Sequence, residues 1–200
     1  YDYSGFPEHT YSVRYAAAGA PAMAQQVCDL VRAADLPAAL DAERGFDHGA
    51  FTPLAIMYPE ANIPVIQLSL HSSYDPALHL ALGRALRPLR SENILILGSG
   101  LSYHNLRAFG PIAKQVSYTF DLWLQETLLH TSAMQRSRKI MDWAQAPAAR
   151  LAHPQEDHLL PLMVALGAAE EEAATLVYHE EAFMGGVTAS SFRFGKATAG

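Results

Sequence analysis

Nine histidines stand among these 200 residues. Histidine is the commonest metal ligand and the side chain that titrates near neutrality. Three settings could do chemistry. In Phe46-Asp47-His48-Gly49 a histidine sits in a tight, glycine-bearing loop beside a carboxylate. Consecutive side chains point apart, so adjacency alone does not put Asp47 on the His48 ring; the plain alternative is a loop histidine bonded to a backbone carbonyl. In Gly98-Ser99-Gly100-Leu101-Ser102-Tyr103-His104-Asn105 two glycines allow a close backbone approach, and His104 follows a short apolar run. Here the alternative is a packed histidine under a glycine turn. In His153-Pro154-Gln155-Glu156-Asp157-His158 two carboxylates and a terminal histidine each offer a donor to a hard or borderline metal. Acids in a helix's first turn also complement its dipole, which accounts for the carboxylates but poorly for the histidines. His71 falls at a strand end where it could line a cleft. His79 falls within a predicted helix and reads as partly exposed.

Other chemistries are excluded. The chain has no GxxxxGK[ST], no GxGxxG and no GxSxG. A single cysteine, Cys28, rules out an intramolecular disulfide framework and any zinc site built on several cysteines. It lies in an amphipathic helix and reads as a small buried apolar residue.

These histidines need a scaffold. Met23, Val27, Leu30 and Val31 share one face of a helix over Ala20–Ala34, with Pro21 in its first turn. A second short helix is expected over Ala50–Tyr58. A third spans Asp75–Arg90, with Asp75 as N-cap and Pro76 in its first position. Ser117–Leu129 and Ser137–Ala144 also read as helices, and Leu159–Ala169 as a buried one. Ile63–Leu70 and Asn93–Gly98 are short apolar runs that read as buried strands, and Ala174–Tyr178 as one more. Alternating strands and helices predict an α/β fold with a central, mostly parallel sheet, helices on both faces and a single domain over residues 1–200. Ligands of such sheets bind beyond the strands' C-terminal ends, where His71 and the Gly98–Asn105 segment would lie.

Composition bounds the partners. There are 14 basic and 20 acidic residues, for a net charge of −6. That balance argues against a nucleic-acid binder, which needs a basic face. No apolar run approaches the ~20 residues that cross a bilayer. No signal peptide is visible, so a cytoplasmic location is expected.

Three segments together carry a resemblance: GFDHGAFTPLAIMYPEANIPVIQLSL (45–70), ILGSGLSYHNL (96–106) and HPQEDHLLPLMVALGAA (153–169). They resemble the extradiol ring-cleavage dioxygenases of the DOPA-dioxygenase type, in the superfamily of the protocatechuate 4,5-dioxygenase catalytic subunit. The opening YDYSGFPEHTYSVRYAAAGAPAMA and the ending FMGGVTASSFRFG follow the same course. The resemblance implies a non-haem metal enzyme, with Fe(II) as the expected cofactor and zinc as the alternative. Its substrates would be a small aromatic diol and O2; the ring opens beside the two hydroxyls and takes up both oxygen atoms. His158 matches the family's C-terminal metal ligand. His104 matches a histidine beside the metal, either ligand or acid/base catalyst. His48 matches a histidine that contacts substrate or shuttles a proton. Tyr103, Phe46 and Phe51 are candidates for an apolar substrate wall, with plain core as the alternative for each.

The family also carries two metal-ligand histidines nearer its N-terminus, in a Gly-His-Gly turn and a Ser-Ala-His-Trp stretch. Neither motif occurs here. The expectation is therefore a chain lacking the family's first strands and part of its metal site, with the remaining two histidines binding iron weakly, because open oxygenase sites use three protein ligands. Two other classes stay in play. A zinc-dependent hydrolase on a similar sheet would act without oxygen. A non-catalytic relative would keep the fold and bind no metal. Homo-oligomerisation is open.

Overall fold

In the computed structural model, residues 2–195 are described. Tyr1, which begins the quoted opening, and residues 196–200 lie outside them. The chain divides into two compact units, Tyr1–Ser69 and Leu70–Gly200.

Among its described residues the first unit holds two α-helices. Helix α1, Pro21–Ala33, starts on a proline and buries Val27, Cys28 and Val31, while Met23 and Leu30 of the expected face are half-buried. Cys28 is a buried free thiol, as expected. Helix α2, His48–Met57, begins two residues before the sequence expectation. The Asp47 side chain caps it by accepting the Ala50 N–H. A 3-10 turn covers Glu8–Ser12.

The second unit is built on helices. Helix α3, Pro76–Leu86, is capped by Asp75 and opens on Pro76, as the sequence predicts. Helix α4 is Lys114–Leu129, and α5 is Ala133–Met141. A single turn, α6, covers Ala149–Ala152, and α7 is Leu160–Ala168. Helix α7 has no polar face; Leu160, Met163 and Leu166 are completely buried. It crosses α3 at two glycines: a Cβ on Gly83 would meet the Val164 carbonyl oxygen, and one on Gly167 the Leu80 carbonyl oxygen. Strands β1, Ala174–Phe183, and β2, Val187–Phe194, pair antiparallel, with α4 packed against both. Phe120 and Leu124 of α4, Tyr103, Trp143, Leu160, Met163 and Val187 form one core.

The expected parallel central sheet is not formed among the described residues. A ladder needs a neighbouring extended segment to bond with along its length, and among the described residues neither Ile63–Leu70 nor Asn93–Gly98 has one. In Ile63–Leu70 only Val65 makes a bridge, parallel to Gly19. Over 94–97 partly buried Ile94 and Ile96 alternate with exposed Leu95 and Leu97, a strand-like pattern without a partner strand. The regular sheet is instead the β1–β2 hairpin, of which the sequence suggested only the first half. No helix among the described residues is long and apolar enough to cross a membrane.

Candidate metal centre

Two loops of the second unit carry His104, His153 and His158. One runs from Gly98 to Asn105; the other, 153–159, leads into α7. Four hydrogen bonds tie the first loop to the end of α6 and to the second loop. The Leu101 N–H donates to the His158 carbonyl and the His104 N–H to that of Ala152, both at 3.0 Å. The His153 ring Nε2–H donates to the Ser102 carbonyl at 3.0 Å. The Asn105 side chain donates to the Leu151 carbonyl at 2.9 Å. The glycines make this approach possible: a Cβ on Gly100 would strike the His158 carbonyl oxygen, and one on Gly98 that of Pro161. Their role here is to admit a neighbouring backbone.

The seam lays the His104 and His158 rings face to face, with centroids 3.4 Å apart and planes 14° from parallel. An imidazole binds a metal through the lone pair of a ring nitrogen. Asp157 joins the two rings. Its Oδ2 lies 2.9 Å from His158 Nδ1, while its Oδ1 is buried with no hydrogen-bond partner. Donor atoms of His104, Asp157 and His158 all lie within 4.8 Å of one another. Two imidazoles and a carboxylate are the donor set of many non-haem iron sites. A buried carboxylate oxygen without a partner is costly unless something positive faces it. By donor chemistry and by this orphaned oxygen, the three residues fit a divalent metal.

His153 lies behind the pair and is completely buried, its ring edge-on to Phe120 and Trp143. Burial is the main reason its pKa drops to about 4; His104 and His158 push the same way, while the Ser102 carbonyl and Asp157 oppose. It is thus neutral at neutral pH. The Ser102 carbonyl can only accept, so the proton is on Nε2, and buried Nδ1 is an acceptor without a partner.

The other sequence candidates fall elsewhere. Tyr103 is fully buried in the core; its hydroxyl donates to the Ala108 carbonyl at 2.6 Å, and its ring packs edge-on to Phe109. Phe51 is a buried face of α2, and Phe46 is half-buried. His79, expected to be partly exposed, is completely buried. Its Nδ1–H donates to the Asp75 carbonyl at 2.7 Å, and its Nε2 accepts the His71 N–H. His71 bonds to Ser73 through its own Nδ1.

His48, in the first unit, opens α2. The carboxylate on its ring is not neighbouring Asp47 but Asp2, whose Oδ2 lies 2.6 Å from Nδ1. Asp47 instead caps the helix and bonds to the Gln67 side chain. Sequence reasoning missed Asp2, because a partner 46 residues away leaves no local pattern. It also missed His153 as the residue that braces the His104 loop; only its position at the head of a histidine-rich segment pointed there.

The family described as the catalytic LigB subunit of aromatic ring-opening dioxygenase matches residues 1–195. The 4,5-DOPA dioxygenase extradiol of Beta vulgaris is 39% identical over 198 residues, 97% of this chain and 73% of that protein. A dioxygenase of Hapsidospora irregularis, tasH, is 38% identical over 90% of this chain and 60% of its own length. The 4,5-DOPA dioxygenase extradiol of Escherichia coli K12 is 34% identical over 98% of this chain and 73% of its own. Among solved structures, an uncharacterized protein from Escherichia coli K12 superposes with a TM-score of 0.78 at 33% identity, covering 91% of this chain and 75% of that one. On these matches the chain belongs to the family of the catalytic LigB subunit of aromatic ring-opening dioxygenases.

Proposed function

We propose that this protein catalyses metal-dependent extradiol cleavage of a catechol-type ring. A small aromatic diol and O2 are the substrates; the carbon–carbon bond beside the diol breaks, and both oxygen atoms enter the product. The observation that carries this reading is the convergence of His104, Asp157 and His158 in a chain of this family. Relatives named for DOPA suggest DOPA or a similar catechol.

In this reading His104 and His158 donate imidazole nitrogens to the metal. Asp157 holds the His158 ring through Oδ2 and offers Oδ1 to the same cation. When bound, Fe(II), which we favour over zinc, lowers the catechol's pKa and brings diol and O2 together. Two roles were open for His104. Its contact with His158 inside the donor group favours the ligand role, and we assign proton transfer to His48 on the strength of the family resemblance. An imidazole can accept a phenolic proton and return it later in the same turnover. Tyr103, with its hydroxyl held by Ala108, is assigned to core rather than to a substrate wall. A cytoplasmic setting is part of the same proposal.

The test is oxygen uptake by the full-length protein over a panel of catechols, with and without Fe(II), under reducing conditions. We expect iron-dependent uptake coupled to a yellow ring-opened product. A folded, iron-loaded protein that consumes no oxygen with any catechol overturns the reading. Zinc-dependent turnover without oxygen would replace it with the hydrolase.

A further inference from the structure

His48 is gripped twice by one carboxylate. Its ring Nδ1 lies 2.6 Å from Asp2 Oδ2, and its backbone N–H donates to Asp2 Oδ1 at 3.0 Å. The two side chains are 47% and 35% exposed. Tyr3 adds a wall: its ring stands edge-on to the imidazole, 5.9 Å away at 89°. The Tyr3 hydroxyl is in turn tied to the Thr10 carbonyl at 2.7 Å. Asp47 is occupied by the helix cap and Gln67, with Arg44 3.5 Å away.

The chemistry of the pair sets the tautomer. Burial pushes the Asp2 carboxyl up, but hydrogen bonds from the His48 backbone N–H and ring outweigh it and hold the group below its ordinary value. An ionised carboxylate only accepts, so Nδ1 carries the hydrogen, and the neutral ring keeps its lone pair on Nε2.

We propose that Asp2 is the positioning residue of His48: it locks the imidazole as the Nδ1–H form, so that Nε2 is the nitrogen that takes up and returns a proton. This rests on the reading that His48 transfers a proton during ring cleavage. The carboxylate does not touch substrate and acts only through the ring. Its removal should therefore lower turnover more than substrate affinity.

D2N is the discriminating variant. The asparagine carbonyl can still accept the His48 N–H, but its amide would donate to Nδ1 and favour the opposite tautomer. The helix cap at Asp47 and the Tyr3–Thr10 bond do not involve Asp2, so α2 should be retained. In 15N-labelled full-length protein, the His48 ring signals are identified by their loss in H48Q. We expect the Nδ1–H form in the wild type, the Nε2–H form in D2N, and a return to Nδ1–H in D2E. In the iron-loaded enzyme, D2N should lower kcat ten- to a hundredfold with KM within about threefold, D2E should restore most of it, and H48Q should lose about a hundredfold or more. A D2N protein with the wild-type tautomer overturns the proposal. So does a shifted tautomer with unchanged kcat when H48Q is impaired. An H48Q enzyme with near-normal kcat removes the underlying reading of His48, and the proposal with it.

Discussion

Asp157 uses its two oxygens differently, one on the His158 ring and one buried without a partner. If it both orients a ligand and faces the cation, D157N should weaken Zn(II) or Fe(II) binding by about ten- to a hundredfold in calorimetric titration. H158A should weaken it further. Wild-type affinity in D157N would place the cation elsewhere. At this scale much of the His104–Asp157–His158 cluster was legible. His104 and His158 stand in motifs that name them, and Asp157 stands beside one of them. Asp2 was not legible, because its partner is made by folding rather than by spacing. His153 was legible as a histidine but not as a brace, since its task depends on the Ser102 carbonyl across the seam.

Helices were read well because a buried stripe repeats every three to four residues, and α1, α3 and α7 carry that stripe or are apolar all round. The least accurate helix was α5, expected from Ser137 and found from Ala133. The missed signal is a capping box: Ser132 accepts the Gln135 N–H, while the Gln135 side chain answers the Ser132 N–H. S132A should therefore cost about 1 kcal/mol in chemical denaturation. Strands were read poorly because an apolar run states that a segment is buried or extended, not that a neighbour is there to bond with it. The glycines are an element-scale feature too. G83A puts a methyl group into the α7 backbone at the crossing and should cost about 1–3 kcal/mol. Its thermal midpoint should fall accordingly, and an unchanged midpoint would mean that the helices part without penalty.

For the second unit as a cooperative body, His153 sets a dependence on acid. Its pKa is about 4 when folded, against an ordinary 6.5. Between those values the unfolded chain binds a proton that the folded one refuses, so stability rises with pH through the window. The contribution is fully present above pH 6.5, is lost progressively as pH falls toward about 4, and amounts to roughly 3 kcal/mol. Denaturation followed from pH 7.5 to 4 should show this loss, and H153F should flatten the slope over that window even though it sacrifices the Ser102 contact. The division into two units was not legible in the sequence, where no linker rich in proline, glycine or charge marks the passage from Ser69 to Leu70.

The segment 94–97 has a consequence for handling the protein in concentrated solution. Leu95 and Leu97 are exposed on a backbone that bonds to no neighbouring strand among the described residues. A short, uncharged, β-prone stretch with an open edge is adhesive: it can template another chain and seed fibrillar aggregation. A lysine at Leu95 adds charge and interrupts the exposed apolar face. L95K should raise the concentration at which light scattering and thioflavin fluorescence appear.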